Sequence, residues 1–163
     1  MKQINTTILD SLTKQAKESP RKRAHHNLHP KLDDPIQRLC VAIEPETYIR
    51  PHRHAEPETA EVFLMLRGSA VILFFDDAGR ITERVIASAG GPVSAIEIPA
   101  TTLHTIASLE SGTVFFEVKQ GPYVQPKEKN VAAWAPAEGE PGTDAFIEWY
   151  KNAKKGEVPP KRK

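Results

Sequence analysis

The chain has 163 residues with 22 Lys+Arg against 21 Asp+Glu, a near-balance that excludes any global electrostatic pull toward nucleic acid or an anionic membrane surface. Its length and 14 prolines suit one domain with one core and loosely held ends. A single cysteine, Cys40, excludes a disulfide within the chain. No apolar run approaches the roughly 18 residues of a membrane span, and the N-terminus lacks a signal peptide's apolar centre. The expectation is a soluble cytoplasmic protein that binds neither nucleic acid nor membrane.

Residues Asn5 to Ser19 predict a helix. Ile8, Leu9, Leu12 and Ala16 follow the 3.6-residue period, Asn5 or Thr6 caps the start, and Pro20 stops it. A basic, histidine-rich connector follows from Arg21 to His29. After Pro35 short β-branched and aromatic runs alternate with turn signals, and they predict strands over Arg38–Glu44, Thr47–Arg53, Glu61–Leu66, Ala70–Phe75, Arg80–Ala87, Val93–Ile98, Leu103–Ala107 and Thr113–Lys119. So many strands in so short a chain predict an all-β sandwich or barrel. Cys40 alternates with Leu39, Val41 and Ile43 and reads as a small buried apolar residue. Beyond Tyr123 the strand rhythm stops. Asp144 to Tyr150 predicts a short helix, and Trp134, Phe146, Trp149 and Tyr150 are expected to bury against the barrel or a second subunit. Lys151 to Lys163, with six basic residues and one acid, reads as a solvated tail. The expected organisation is therefore a helix over 1–20, a barrel over 21–123, a packing segment over 124–150 and a flexible basic tail over 151–163.

The chemistry concentrates between residues 48 and 104. His52 and His54, at i and i+2 on an extended segment, share a face. Tyr48 and Arg50 have the same parity, so the face is polar throughout and is expected to line a cavity. Glu61 opens the next strand with the parity of Phe63 and Met65, which places its carboxylate at the barrel wall. It is favoured as an oxygen ligand over Glu58 and Glu56, which flank Pro57 in a loop. His104, delivered by a turn at a strand start, completes three imidazoles and one carboxylate. Such a donor set suits Zn, Fe, Mn, Ni or Cu, and the sequence does not choose among them.

These residues resemble the two metal motifs of the cupin superfamily, small β-barrels of jelly-roll type. His52-Arg53-His54 and Glu61 with Gly68 seven residues on match the first motif, with a longer gap between His54 and Glu61 than is usual. Pro99-Ala100-Thr101-Thr102-Leu103-His104 matches the second, with Thr101 standing where glycine is usual. Over roughly Arg21 to Tyr150 the chain resembles, more closely, the WbuC family of cupin-fold metalloproteins found among bacterial surface-polysaccharide (O-antigen) genes. The carrying segments include Asn27-Leu28-His29, Tyr48-Ile49-Arg50-Pro51-His52-Arg53-His54, Glu117-Val118-Lys119-Gln120-Gly121-Pro122-Tyr123 and Trp134-Ala135-Pro136. The resemblance implies a cupin-type jelly-roll barrel with an N-terminal helix, a short helical C-terminal segment and one divalent metal. It leaves the reaction open.

Three functions are compatible with this reading. The first is a metal-dependent enzyme on a small polar molecule, a sugar or sugar nucleotide, with His52, His54, Glu61 and His104 holding the metal. Tyr48, Arg50 or Glu117 would then grip substrate or transfer protons, and isomerisation or epimerisation is favoured over oxygenation. The second is a non-catalytic carbohydrate-binding module, and the third a structural metal. Arg23, Asn27, His29, Gln37 and Arg38 form a polar approach to the first barrel strand that can bind an anionic or hydroxylated ligand. Glu97 and the Glu117–Lys119 pair can orient the histidines or lie on exposed strand faces. A homodimer through sheet edges is the expected assembly.

Overall fold

The computed structural model describes residues 1–161. Eight strands occur among them: β1 Arg23–Asn27, β2 Ile36–Ile43, β3 Glu61–Arg67, β4 Ser69–Phe75, β5 Ile81–Ser88, β6 Ala95–Ile98, β7 His104–Ser108 and β8 Thr113–Gln120. Helix α1 spans Thr6–Glu18 before them, and α2 spans Thr143–Asn152 after them. Every pairing is antiparallel, in a five-stranded sheet of order β1-β2-β8-β3-β6 and a three-stranded sheet of order β5-β4-β7.

Strand alternation explains how the two sheets stack. Val41, Phe63, Met65 and Phe115 on one sheet meet Ala70, Ile72 and Ile106 on the other, all buried in one cluster. The residues between them in sequence face outward. On the five-stranded sheet these are Cys40, Ala42 and Val114, and Leu9, Leu12 and Ala16 of α1 cover them. The Asn5 side chain caps α1, accepting from the Ile8 N–H at 3.0 Å. On the three-stranded sheet Val71, Leu73 and Phe75 face outward onto Phe146, Ile147 and Tyr150 of α2. Each sheet therefore has one face in the shared core and one face under a helix. The C-terminal aromatics accordingly pack on this chain's own barrel.

Three expectations need correction. Arg23–Asn27, expected as connector, is the edge strand β1 in register with Leu39–Ile43. Periodicity could not show this, because an edge strand half open to water carries polar residues. The strand expected over Thr47–Arg53 is not regular; only two isolated bridges form there, His52 with His104 and His52 with Val131. The chain beyond α2 is also tied down rather than loose. Gly156 N–H donates to the Ile81 carbonyl at 2.8 Å, and Ile81 N–H donates to the Glu157 carbonyl at 2.9 Å. Residues 162–163 of the expected tail lie outside the described residues.

Candidate metal centre

The site is built where the irregular 51–54 segment meets the starts of β3 and β7. His52 and His104 exchange backbone hydrogen bonds, N–H to carbonyl, at 3.0 Å each way. That reciprocal pair sets their rings side by side, with centroids 4.9 Å apart. The His54 carbonyl accepts from the N–H of Thr101 at 3.1 Å, which ties the first histidine segment to the turn that delivers His104. In that turn Thr101 has φ 66°, a left-handed conformation that favours glycine and costs a β-branched residue energy. The position where the cupin motif usually carries glycine thus has glycine's backbone here, held by a threonine.

Glu61 is the first residue of β3, paired with Ile98 on one side and Lys119 on the other. One potential ligand atom each from His52, His54, Glu61 and His104 lies within 4.8 Å of the others. Glu61 Oε1 stands 2.7 Å from His104 Nε2 and 3.3 Å from His54 Nε2. These three atoms are buried, and none meets a partner in hydrogen-bonding geometry. The far sides of two rings are occupied. His104 Nδ1–H donates to the Thr102 carbonyl at 2.8 Å, and His52 Nδ1–H donates to the Arg50 carbonyl at 3.1 Å. This arrangement leaves Nε2 of both rings as the lone-pair nitrogen facing the cluster, as metal-ligating histidines are held.

Electrostatics favour the ligating forms. Burial opposes ionisation of Glu61, yet the imidazoles of His104 and His54 hold its carboxyl well below the usual range. Burial, with His104 and His54 close by, pushes His52 down to about 3, so its imidazole is neutral near neutral pH. A carboxylate and imidazole nitrogens whose facing atoms lack hydrogen-bond partners fit a divalent transition ion. Glu58 is exposed and Glu56 pairs with Lys127 and Lys129; neither joins the cluster.

The cluster opens into a cavity of about 410 Å³. Arg50 lines it, its Nε donating to the Ala132 carbonyl at 3.1 Å. Arg23 lines it too, held by the Tyr48 carbonyl at 3.2 Å and by Glu138 at 3.2 Å. Deeper in, Lys119 Nζ sits 2.6 Å from Glu117 Oε1 and 3.9 Å from Glu61 Oε2. Burial raises the Glu117 carboxyl against the pull of Lys119. Burial lowers Lys119, but Glu117 and Glu61 outweigh it and keep the ammonium charged. Of the three residues expected to grip substrate or move protons, Arg50 and Glu117 face this cavity.

Tyr48 does not. It is buried in the cluster beneath α2, stacked 6.0 Å from Tyr150, and its hydroxyl donates to the Pro136 carbonyl at 2.8 Å. The parity argument fails because the segment from Thr47 to Arg53 is not a regular strand. Glu138 and Arg21 also line the cavity. Arg21 opens the basic connector and Glu138 ends the Trp134-to-Glu138 segment of the WbuC resemblance, but no sequence pattern pairs the two. Their importance comes from the C-terminal segment crossing to Arg21 and Arg23. Glu97 is exposed on β6.

The two facing antiparallel sheets, with one helix before them and one after, form a cupin-like β-sandwich, and they hold a cluster of three histidines and one glutamate. Residues 4–87 match the family described as a domain of unknown function, DUF6016, and the chain belongs to that family. KdgF from Halomonas sp. is similar in fold, at 17% identity over 66% of this chain and 84% of its own, with a TM-score of 0.50. The plu4264 protein from Photorhabdus luminescens is 18% identical over 74% of this chain and 87% of its own, with a TM-score of 0.49. A cupin superfamily protein from Desulfitobacterium hafniense is 17% identical over 60% and 76%, with a TM-score of 0.47. No curated protein matches the sequence. Among the described residues no helix is long and apolar enough to cross a membrane.

Proposed function

We propose that the chain is a metal-dependent enzyme acting on a small, polar, anionic molecule of the sugar or sugar-nucleotide class, by isomerisation or epimerisation. One observation carries the reading: four potential ligand atoms, three of them buried without a hydrogen-bond partner, converge in a 410 Å³ cavity whose walls present Arg23, Arg50 and Lys119. A divalent ion held by His52, His54, Glu61 and His104 supplies Lewis acidity at a carbonyl or hydroxyl. Arg50 and Arg23 offer planar donor forks to a carboxylate or phosphate. Glu117 Oε1, beside Lys119 Nζ, is the group that takes and returns a proton. The resemblance to WbuC proteins supports a place in bacterial surface-polysaccharide synthesis, and a cytoplasmic homodimer belongs to the same reading. The pairing of Arg23 with Glu138 and of Lys119 with Glu117 favours a second reading, a non-catalytic module that binds the same ligands.

The test is elemental analysis of protein purified without an affinity tag, beside a His52→Ala, His104→Ala double variant. About one equivalent of metal, lost in the variant, is expected. A metal at a hundredfold its dissociation constant stabilises the native chain by about 2.7 kcal/mol, a rise of roughly 5–11 °C in Tm at this length, and leaves the variant unmoved. Absence of metal in both samples, with no thermal response to added divalent ions, overturns the proposal. Deuterium entering UDP-sugars in heavy water marks the enzyme; binding without exchange marks the module.

A further inference from the structure

The cavity does not end at the Glu117–Lys119 pair. Beyond it lies a second space of about 270 Å³, against β1, β2 and the chain after β8. Its lining shares His25, Glu117, Lys119 and Tyr123 with the metal-end cavity and adds Asn27 and His29. The two spaces therefore form one trough, with the ion pair as a sill between them.

His29 is 4% exposed, and the strand geometry assigns its tautomer. Within a strand the N–H and C=O of one residue point to the same neighbour. The Arg38 carbonyl accepts from Leu28 N–H at 2.8 Å, so the Arg38 N–H faces the same way, and it meets His29 Nδ1 at 3.0 Å. Nδ1 also lies 3.0 Å from the Arg38 carbonyl, but that carbonyl already accepts from Leu28 N–H, whereas the Arg38 N–H can only donate and is aimed at Nδ1. Nδ1 therefore accepts, the ring proton sits on Nε2, and Nε2 has no partner among the described residues. A buried donor without a partner destabilises the chain alone and is relieved by a ligand acceptor. Apart from the shared ion pair, the lining of this space carries only amide, imidazole, phenol and leucine side chains. Tyr123, 44% exposed, offers its ring at the edge.

We propose that this space is a second subsite, taking the neutral hydroxylated ring of a ligand whose anionic group sits at the metal end, with His29 Nε2–H and the Asn27 amide as its hydrogen-bonding groups. The inference rests on the anionic-ligand reading above and adds the ring, its position and its partners. Sugar phosphates and sugar acids share this chemistry.

Calorimetric titration of the metal-loaded protein with inorganic phosphate and with glucose and galactose 1-phosphates tests it. Native protein is expected to bind the better sugar phosphate at least tenfold tighter than phosphate. His29→Asn keeps an acceptor near the Arg38 N–H and removes the Nε2 donor, while Asn27→Ala changes an exposed strand position. Each is expected to erase most of that preference and leave phosphate affinity unchanged. Phosphate binding with no gain from either sugar, or a gain that survives both variants, overturns the subsite alone. Failure of phosphate and both sugar phosphates to bind overturns the anionic-ligand reading and the subsite with it.

Discussion

Tyr48 separates a structural role from a chemical one, and Tyr48→Phe tests which it has. The substitution keeps the ring stacked on Tyr150 and deletes only the hydroxyl that donates to the Pro136 carbonyl at 2.8 Å. Tyr48 is 5% exposed and Pro136 is buried, so water cannot readily replace the lost donor. An unsatisfied buried acceptor costs about 1–3 kcal/mol, and a midrange loss of about 2 kcal/mol corresponds to roughly 4–8 °C in Tm for a chain of this length. The metal cluster is unaffected, because His52 and His104 are fixed by their mutual backbone bonds and by carbonyls that the substitution does not touch. Urea unfolding at fixed metal concentration should show a lower midpoint with an unchanged slope, and elemental analysis should show undiminished metal. Unchanged stability together with lost turnover or ligand binding would refute this and return Tyr48 to the site.

Two further predictions concern backbone and charge. Thr101→Gly relieves about 1–2 kcal/mol of left-handed strain against a glycine entropy cost of about 0.5–1 kcal/mol, so stability is expected to hold or rise by about 1 kcal/mol. A clear fall in Tm would show that the Thr101 side chain earns its place by contacts instead. Glu138 bridges Arg21 and Arg23; burial opposes its ionisation, but the two arginines depress its carboxyl below the usual glutamate value. A depressed folded value means that this contribution is fully present above the ordinary value near 4.5. It is lost as pH falls through the lower folded value. Native protein should accordingly lose more stability than Glu138→Gln when titrated from pH 5 downward. Parallel stability curves for the two would contradict the ion pair.

The strands that bury one face against the opposing sheet were legible from the chain, since Ile36–Ile43, Glu61–Arg67, Ser69–Phe75 and Thr113–Gln120 carry the apolar residues that such burial requires. Helix α1 was legible for the same reason, with an asparagine cap and an apolar stripe. Arg23–Asn27 was not, because pairing along one edge demands backbone hydrogen bonds rather than a particular side-chain pattern. The four residues that cluster were legible as types at recognisable spacing, two histidines, a strand-opening glutamate and a later histidine.

What the sequence by itself determined was the donor inventory, the strands apart from the edge strand Arg23–Asn27 and the irregular Thr47–Arg53 segment, and the chemical hardness of a site made of imidazole and carboxylate. Which residues share the cavity was decided only by tertiary structure. Tyr48 and His52 are four residues apart, yet Tyr48 lies in the core beneath α2 and His52 lines the cavity, because the segment between them is not a regular strand. Lys119 reaches Glu61 only through the register of β8 on β3, and Glu138 reaches Arg23 only through a crossing of the C-terminal segment. Local pattern encodes what each segment buries; long-range register and crossing decide what it meets, because those depend on where other segments bury theirs.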